Sequence, residues 1–184
     1  KANKLIKNGE AYTLVFPQHR LFTLEADVKM PSDGFPEIIF RFSPKEEGYF
    51  SVGYTGAMNI QPEKLDELWQ PYIWQELRFP DQCYLTVDEA SPLPATTVTY
   101  HGITSGVVVN PSSIPCKMPN FSRLKYGLMV RNQKGEAQPQ LFSPVLGTTD
   151  SKMKPGDQYS FGFHVFSIYG KWIDTYKHLA YNMF

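Results

Sequence analysis

The chain has 184 residues, enough for one domain that buries roughly 70% of its unfolded surface, so its core needs no metal or disulfide. Its 18 basic and 18 acidic residues cancel, which leaves no net field to attract a polyanion and excludes nucleic acid as an expected partner. Hydrophobic residues make up 42%, which excludes disorder. No apolar run approaches the ~20 residues of a membrane-spanning helix, so no membrane span is expected.

The first clear element is a strand. Residues Phe22–Met30 alternate between apolar and polar side chains without interruption, which is typical of a strand with one face in solvent. After the turn residues Pro31–Gly34, the alternation resumes over Glu37–Phe42, and a third run, rich in aromatic residues, covers Tyr49–Tyr54. Because short turns join only antiparallel neighbours, these three segments predict a meander.

Further strands and one short helix are predicted along the rest of the chain. The helix is expected near residues 62–69, because Pro62 suits a first helical position and Leu65 and Leu68 would share a face. Short strands with one apolar face are most simply buried as two stacked sheets, so the predicted fold is all-β, a two-sheet antiparallel β-sandwich of supersandwich or jelly-roll-like type, with a closed barrel as the alternative. The remaining predicted strands are Tyr12–Phe16, Tyr84–Asp88, Thr96–His101, Ile103–Val109, Leu124–Arg131, Gln158–Ile168 and, if it pairs, Gln140–Ser143.

Residues 170–184 predict an amphipathic helix that begins at about residue 171. The helix reaches Met183 and Phe184 with no Gly, Asn or Pro after them to end it, so we interpret residues 170–184 as the start of a linker helix into a missing helical domain, with residues 1–169 as the β-sandwich domain. The alternative is a terminal helix docked on its own domain. If its apolar side is uncovered, the fragment is expected to self-associate. The candidate interdomain contacts on that side are Trp172, Tyr176, Leu179, Met183 and Phe184.

One segment is unusually dense in aromatic residues. Trp69, Tyr72 and Trp74 fall within six positions and are followed by Glu76 and Arg78. Flat rings beside charged groups suit a sugar, whose C–H groups pack on a ring while its hydroxyls form hydrogen bonds. These five residues are therefore the candidate carbohydrate-binding site. The alternatives are a loop that fills the core with its tryptophans, or a contact with a further domain.

The sequence contains no recognised catalytic motif. GxSxG and Gly-rich phosphate loops are absent, and the four histidines belong to no known pattern, so no catalytic residue, metal or cofactor is predicted. Glu25 and Asp27 share a strand face, but their alternation places them on the solvated side. Cys83 and Cys116 are compatible with one disulfide or with two thiols.

Four segments of the C-terminal third carry a resemblance: Leu128–Asn132, Leu141–Gly147, Met153–Phe161 and Trp172–Ala180. Together they make residues 124–184 resemble the N-terminal β-sandwich of large bacterial carbohydrate-active proteins. In that family a supersandwich leads through a linker helix into an (α/α) toroid that holds the active site. The first half, especially Phe22–Tyr54, resembles a concanavalin A-like jelly roll equally well.

The resemblance implies a periplasmic or extracellular location, a glycan as the substrate of the whole protein, and catalytic residues beyond Phe184. We therefore expect a non-catalytic N-terminal β-sandwich domain of a glycoside hydrolase or related enzyme, which packs against its own downstream catalytic domain. The alternatives are a carbohydrate-binding module with an aromatic platform, and a concanavalin A-like hydrolase or lyase.

Overall fold

A computed structural model describes residues 2–32, 34–56, 58–71, 74–88, 91, 93–114 and 124–183. The described residues form antiparallel strands, three short 3-10 helices and one C-terminal α-helix, α1 (Trp172–Met183). The strands are β1 (Lys4–Asn8), β2 (Ala11–Val15), β3 (Phe22–Lys29), β4 (Glu37–Pro44), β5 (Gly48–Tyr49), β6 (Val52–Tyr54), β7 (Glu67–Gln70), β8 (Trp74–Glu76), β9 (Thr86–Val87), β10 (Ala95–Tyr100), β11 (Ile103–Val109), β12 (Gly127–Arg131), β13 (Ala137–Ser143), β14 (Lys152–Met153) and β15 (Tyr159–Tyr169).

The strands belong to three sheets. The large sheet has nine strands in the order β1-β2-β3-β4-β15-β11-β10-β7-β8, the small sheet has the order β6-β13-β12-β9, and β14 pairs with β5. Sequence neighbours pair where the connection is tight: β10 and β11 are joined by His101 and Gly102, whose φ angles are 51° and 70°. Two successive positive φ angles are those of the two-residue turn that matches the twist of a hairpin.

The main hydrophobic core contains residues of both the large and the small sheet. Strand alternation directs Phe40 of β4 and Phe161 and Phe163 of β15 to one face of the large sheet, the inner face. The same buried cluster contains Leu128 of β12 and Leu141 of β13, from the small sheet. The inner face of the large sheet therefore supplies three phenylalanines to this core.

Helix α1 packs on the opposite, outer face of the large sheet. Leu179 is fully buried in a cluster with Trp69, Val108 and Phe166, which come from β7, β11 and β15. The start of the helix is also fixed, because the Trp172 backbone N–H donates to Glu67 Oε2 over 3.2 Å. The large sheet is therefore covered on its inner face by the small sheet and on part of its outer face by α1.

The predicted helix near residues 62–69 is wrong beyond its first turn. A 3-10 helix does begin at Pro62, but it ends at Lys64, and Glu67–Gln70 is strand β7 between β8 and β10. Leu68 and Trp69 are both buried although they point to opposite faces, because the sheet is covered on both faces at this place. A strand buried on both faces has a continuous apolar run that cannot be told from a helical one by its period.

The predicted meander is also wrong in its third member. β3 and β4 are antiparallel neighbours as predicted, and their register runs from Phe22 opposite Pro44 to Lys29 opposite Glu37. The run Tyr49–Tyr54, however, is divided into β5 and β6, and β6 pairs with β13 of the small sheet. The neighbour of β4 is instead β15, more than 100 residues away in the sequence. A short polar connection therefore passes between sheets here rather than joining two neighbours in one sheet.

A buried tyrosine in the core leads to a prediction about alkaline stability. Tyr126 is fully buried, and its hydroxyl donates to the Gly162 carbonyl oxygen over 3.2 Å. Burial raises the pKa of Tyr126 from 10.0 to about 12. The unfolded chain therefore ionises first, so stability is unaffected below pH 10 and falls by about 2–3 kcal/mol as the pH rises through the two pKa values.

Urea unfolding as a function of pH tests this prediction with Tyr126→Phe as the comparison. The substituted chain is expected to show a shallower loss of unfolding free energy above pH 10 than the unsubstituted chain, because one of its buried ionisable hydroxyls is gone. Burial also raises the pKa of Tyr159, so part of the loss is expected to remain. Identical slopes for the two chains would contradict the prediction.

Candidate functional site

Trp69 of the predicted carbohydrate-binding segment is buried and is not part of an exposed aromatic platform. The Trp69 ring is only 8% exposed; it stacks on Trp172 at a centroid distance of 6.3 Å and meets Tyr176 edge-on at 5.0 Å. Trp69 therefore presents no open ring face to a sugar. Tyr72 and the side chain of Trp74 lie outside the described residues, so the prediction for them stays a prediction.

The two charged members of the predicted carbohydrate site are at the edge of the large sheet. Glu76 ends the edge strand β8 and is exposed, with a φ of 54°. Arg78 is also exposed and lies in the turn that follows, where its backbone N–H donates to the Gln75 carbonyl over 3.0 Å. The structure does not bring these two residues together with Trp69, which points under α1 instead.

Four of the five predicted interdomain residues lie on the side of α1 that faces the chain's own sheet. Leu179 is fully buried there, and Trp172, Tyr176 and Met183 pack against the same cluster. Phe184 lies outside the described residues. The apolar side is thus covered as in the docked-helix alternative, and the reason for expecting self-association through it is removed. Contact of these residues with a further domain stays a prediction.

The uncovered half of the outer face, over β1 to β4, is polar. Arg41 of β4 donates to both carboxylate oxygens of Asp27, at 3.0 Å from its Nη2 to Oδ1, and lies 3.5 Å from Glu25. Thr13 of β2 also donates to Asp27 over 2.7 Å. The Arg41 hydrogen bond lowers the pKa of Asp27, so this carboxylate is held ionised. Glu25 and Asp27 therefore form a charge-paired surface, not a proton-donating acid pair.

A row of side chains crosses this outer face at the level where β3 ends. Register pairs Ala11 with Lys29, Lys29 with Glu37, Glu37 with His164, and His164 with Val108. Directly paired residues of antiparallel strands point to the same face. The row therefore brings an ammonium, a carboxylate and an imidazole side by side, beside the helix that covers Val108.

Two clefts join over this row to form what we call the Phe35 groove. One cleft, of about 450 Å³, is lined by Lys29 and Glu37 of the row; the other, of about 640 Å³, is lined by His178 of α1. The two clefts are adjacent, since Pro31, Phe35 and His164 line both of them. The groove thus runs from the outer face of the large sheet to the C-terminal half of α1.

Hydrogen bonds hold the polar walls of the groove. Glu37 is mostly buried, accepts a hydrogen bond from Asn110 Nδ2, and lies 3.2 Å from Lys29 Nζ. His164 Nδ1 is 3.3 Å from the Phe35 carbonyl oxygen. Because a carbonyl oxygen can only accept, His164 Nδ1 is the donor in this contact. The polar walls are therefore a preorganised set of hydrogen-bond donors and acceptors.

The described residues contain no group of three or more His, Cys, Asp or Glu side chains close enough to hold a metal ion. No helix in the described ranges has the length and apolarity needed to cross a membrane. Cys83 is an exposed free thiol, and Cys116 lies outside the described residues.

Comparison with known proteins identifies no relative of this chain. No family model, curated protein or solved structure matches this chain. The candidate site is consequently defined by its geometry alone.

Sequence reasoning missed the Phe35 groove. The alternation of Phe22–Met30 assigns Lys29 to the solvated face, and the alternation in β15 places His164 on the face opposite Phe161 and Phe163. No sequence signal, however, predicts that β15 is the neighbour of β4, which is what brings His164 beside Glu37.

Proposed function

We propose that this chain is the non-catalytic β-sandwich domain of an exported glycan-processing enzyme, and that it supports a helical catalytic domain joined to α1. The observation that carries the proposal is the way α1 is fixed on the outer face of the large sheet. Periplasmic or extracellular location and the glycan substrate of the whole protein are part of the proposal and rest on the resemblance of residues 124–184.

The sandwich assignment is supported by contacts between the two larger sheets. Leu128 and Leu141 of the small sheet share one buried cluster with Phe161 and Phe163 of the large sheet. A buried amide also links the sheets: Gln70 of β7 accepts from the Val130 backbone N–H of β12 over 2.8 Å. Two antiparallel sheets with a common core and a polar link are what a β-sandwich requires.

The proposed supporting role is supported by the anchors of the helix. Glu67 accepts from the Trp172 N–H and lies 3.8 Å from Lys171 Nζ, while Thr104 donates to the Gly170 carbonyl over 2.7 Å. Leu179, two turns further along, is fully buried. A helix fixed at its start and near its end has one orientation on the sheet, so a domain joined to it would be held in one position.

Expression of the natural reading frame tests the proposal directly. The longer protein is expected to release reducing sugar from at least one substrate in a panel of plant and bacterial glycans, whereas the 184-residue chain is expected to release none. Hydrolysis by the 184-residue chain alone would contradict a non-catalytic role. Absence of a helical domain after α1 in that reading frame would contradict the supporting role.

A further inference from the structure

We infer that the Phe35 groove binds an uncharged saccharide. This inference goes beyond the supporting role, because a scaffold needs no ligand of its own, and it places the binding site away from the Trp69–Arg78 segment. It rests on the size of the groove, the pairing of its charges, its hydrogen-bonding groups and its aromatic wall.

The size of the groove is that of a small-molecule site. Its two adjacent clefts measure about 450 Å³ and about 640 Å³ and share Pro31, Phe35 and His164 as lining residues. Ligand sites typically enclose about 300–1,000 Å³, so each cleft by itself lies in this range. A ligand longer than one cleft would extend from the row on the sheet toward the end of α1.

The charges in the groove disfavour an anionic ligand. The ammonium of Lys29 and the carboxylate of Glu37 lie 3.2 Å apart and compensate one another. Among the described lining residues, Glu10 is the one further Asp, Glu, Lys or Arg. A phosphate or sulfate would therefore meet no uncompensated Lys or Arg among them.

The groove still offers hydrogen-bonding capacity of both kinds. Lys29 carries three N–H donors, of which Glu37 uses one. At the other wall, Asn182 Nδ2 donates to the His178 carbonyl over 2.8 Å, which leaves the Asn182 side-chain oxygen as an acceptor toward the groove it lines. Hydroxyl groups both donate and accept, so they match such a mixed set.

The apolar wall is built around a fixed aromatic ring. Phe35 lies at the centre of the groove, with its ring centroid 5.5 Å from that of Phe166 and 5.7 Å from that of His178. Pro31 and Met183 extend the apolar surface on either side. The C–H face of a pyranose packs on such a surface while its hydroxyls reach the hydrogen-bonding groups of the polar walls. Together, the paired charges, mixed hydrogen-bonding groups and apolar wall select a neutral saccharide.

Titration of the 184-residue chain with neutral trisaccharides tests the inference. The probes are maltotriose, cellotriose, xylotriose and mannotriose, followed by amide chemical shifts. We expect saturable shifts with at least one probe, centred on Lys29, Phe35, His164 and His178, with a millimolar or tighter Kd. Lys29→Ala and His178→Ala change exposed residues, so both variants are expected to fold, and each should weaken Kd by about 3- to 10-fold.

Matched controls separate a groove effect from a general one. Lys64→Ala removes an exposed lysine remote from the groove, and Lys177→Ala changes the exposed neighbour of His178 on α1; both should leave Kd unchanged. Three outcomes overturn the inference: no saturable shift with any probe, shifts centred on the separate cleft at Arg41, or equal Kd values for all four variants. None of them bears on whether the longer protein hydrolyses glycans, so the two proposals fail independently.

Discussion

Replacing Leu179 with alanine is expected to lower the free energy of unfolding by about 2–5 kcal/mol. Leu179 is fully buried between α1 and the outer face of the large sheet, in contact with the cluster that contains Trp69, Val108 and Phe166. The substitution removes its buried methyl groups and leaves a cavity where the helix meets the sheet. Urea denaturation followed by circular dichroism measures the loss.

The matched control for this prediction is on the same helix. Tyr181→Ala removes a larger side chain, but Tyr181 is 88% exposed, so the change should stay within about 0.5 kcal/mol. A loss of less than about 1 kcal/mol for Leu179→Ala, or losses of equal size for the two variants, would mean that Leu179 does not hold the helix on the sheet.

Replacing Gln70 with methionine is expected to cost about 2–3 kcal/mol although it nearly conserves volume. Gln70 is fully buried between the sheets, where its Nε2 donates to the Tyr84 carbonyl over 2.9 Å and its Oε1 accepts from the Val130 N–H. Methionine fills the space but leaves the buried Val130 N–H without a partner, and an unsatisfied buried group costs about 1–3 kcal/mol. Thermal unfolding by calorimetry checks the loss.

Two further variants of this kind isolate the hydrogen bonds. Gln70→Ala adds a cavity to the lost bonds, so it should be less stable than Gln70→Met. Gln75→Ala removes an exposed glutamine from the neighbouring strand β8 and should be nearly neutral. If Gln70→Met were as stable as the unsubstituted chain, the amide would not be a structural link between the sheets.

Local patterns were sufficient to predict much of the secondary structure. The alternation over Phe22–Met30 predicted β3 to within one residue, and the apolar period after Gly170 predicted α1, which begins at Trp172. Both elements have one covered and one solvated face, so their periods are visible in the sequence. The predicted strand Ile103–Val109 has the observed bounds as well.

Elements without such a contrast were missed or misread. β7 is buried on both faces, which made its sequence read as helical. β1 is largely exposed on both faces, so Lys4–Asn8 shows no strand-like contrast. Two-residue strands such as β14 are too short to carry a period at all. Periodicity thus failed wherever the two faces of an element share one environment.

The candidate site depends on sheet order, which no local pattern contains. Lys29 and Glu37 are joined by a short turn, so their proximity follows from the hairpin. His164 and His178 complete the groove only because β15 pairs with β4 and α1 returns over β11. By contrast, Trp69, which belongs to the segment dense in aromatic residues, is part of the buried cluster beneath α1.

Native-state hydrogen exchange of the 184-residue chain tests most directly whether α1 is an integral part of the domain. The amides of Tyr176–Ala180 are expected to exchange with a free energy close to that of the core strand β11, and to lose that protection selectively in Leu179→Ala. Rapid, unprotected exchange of the helix in the unsubstituted chain, with β11 still protected, would contradict a helix held on the outer face, and the supporting role with it.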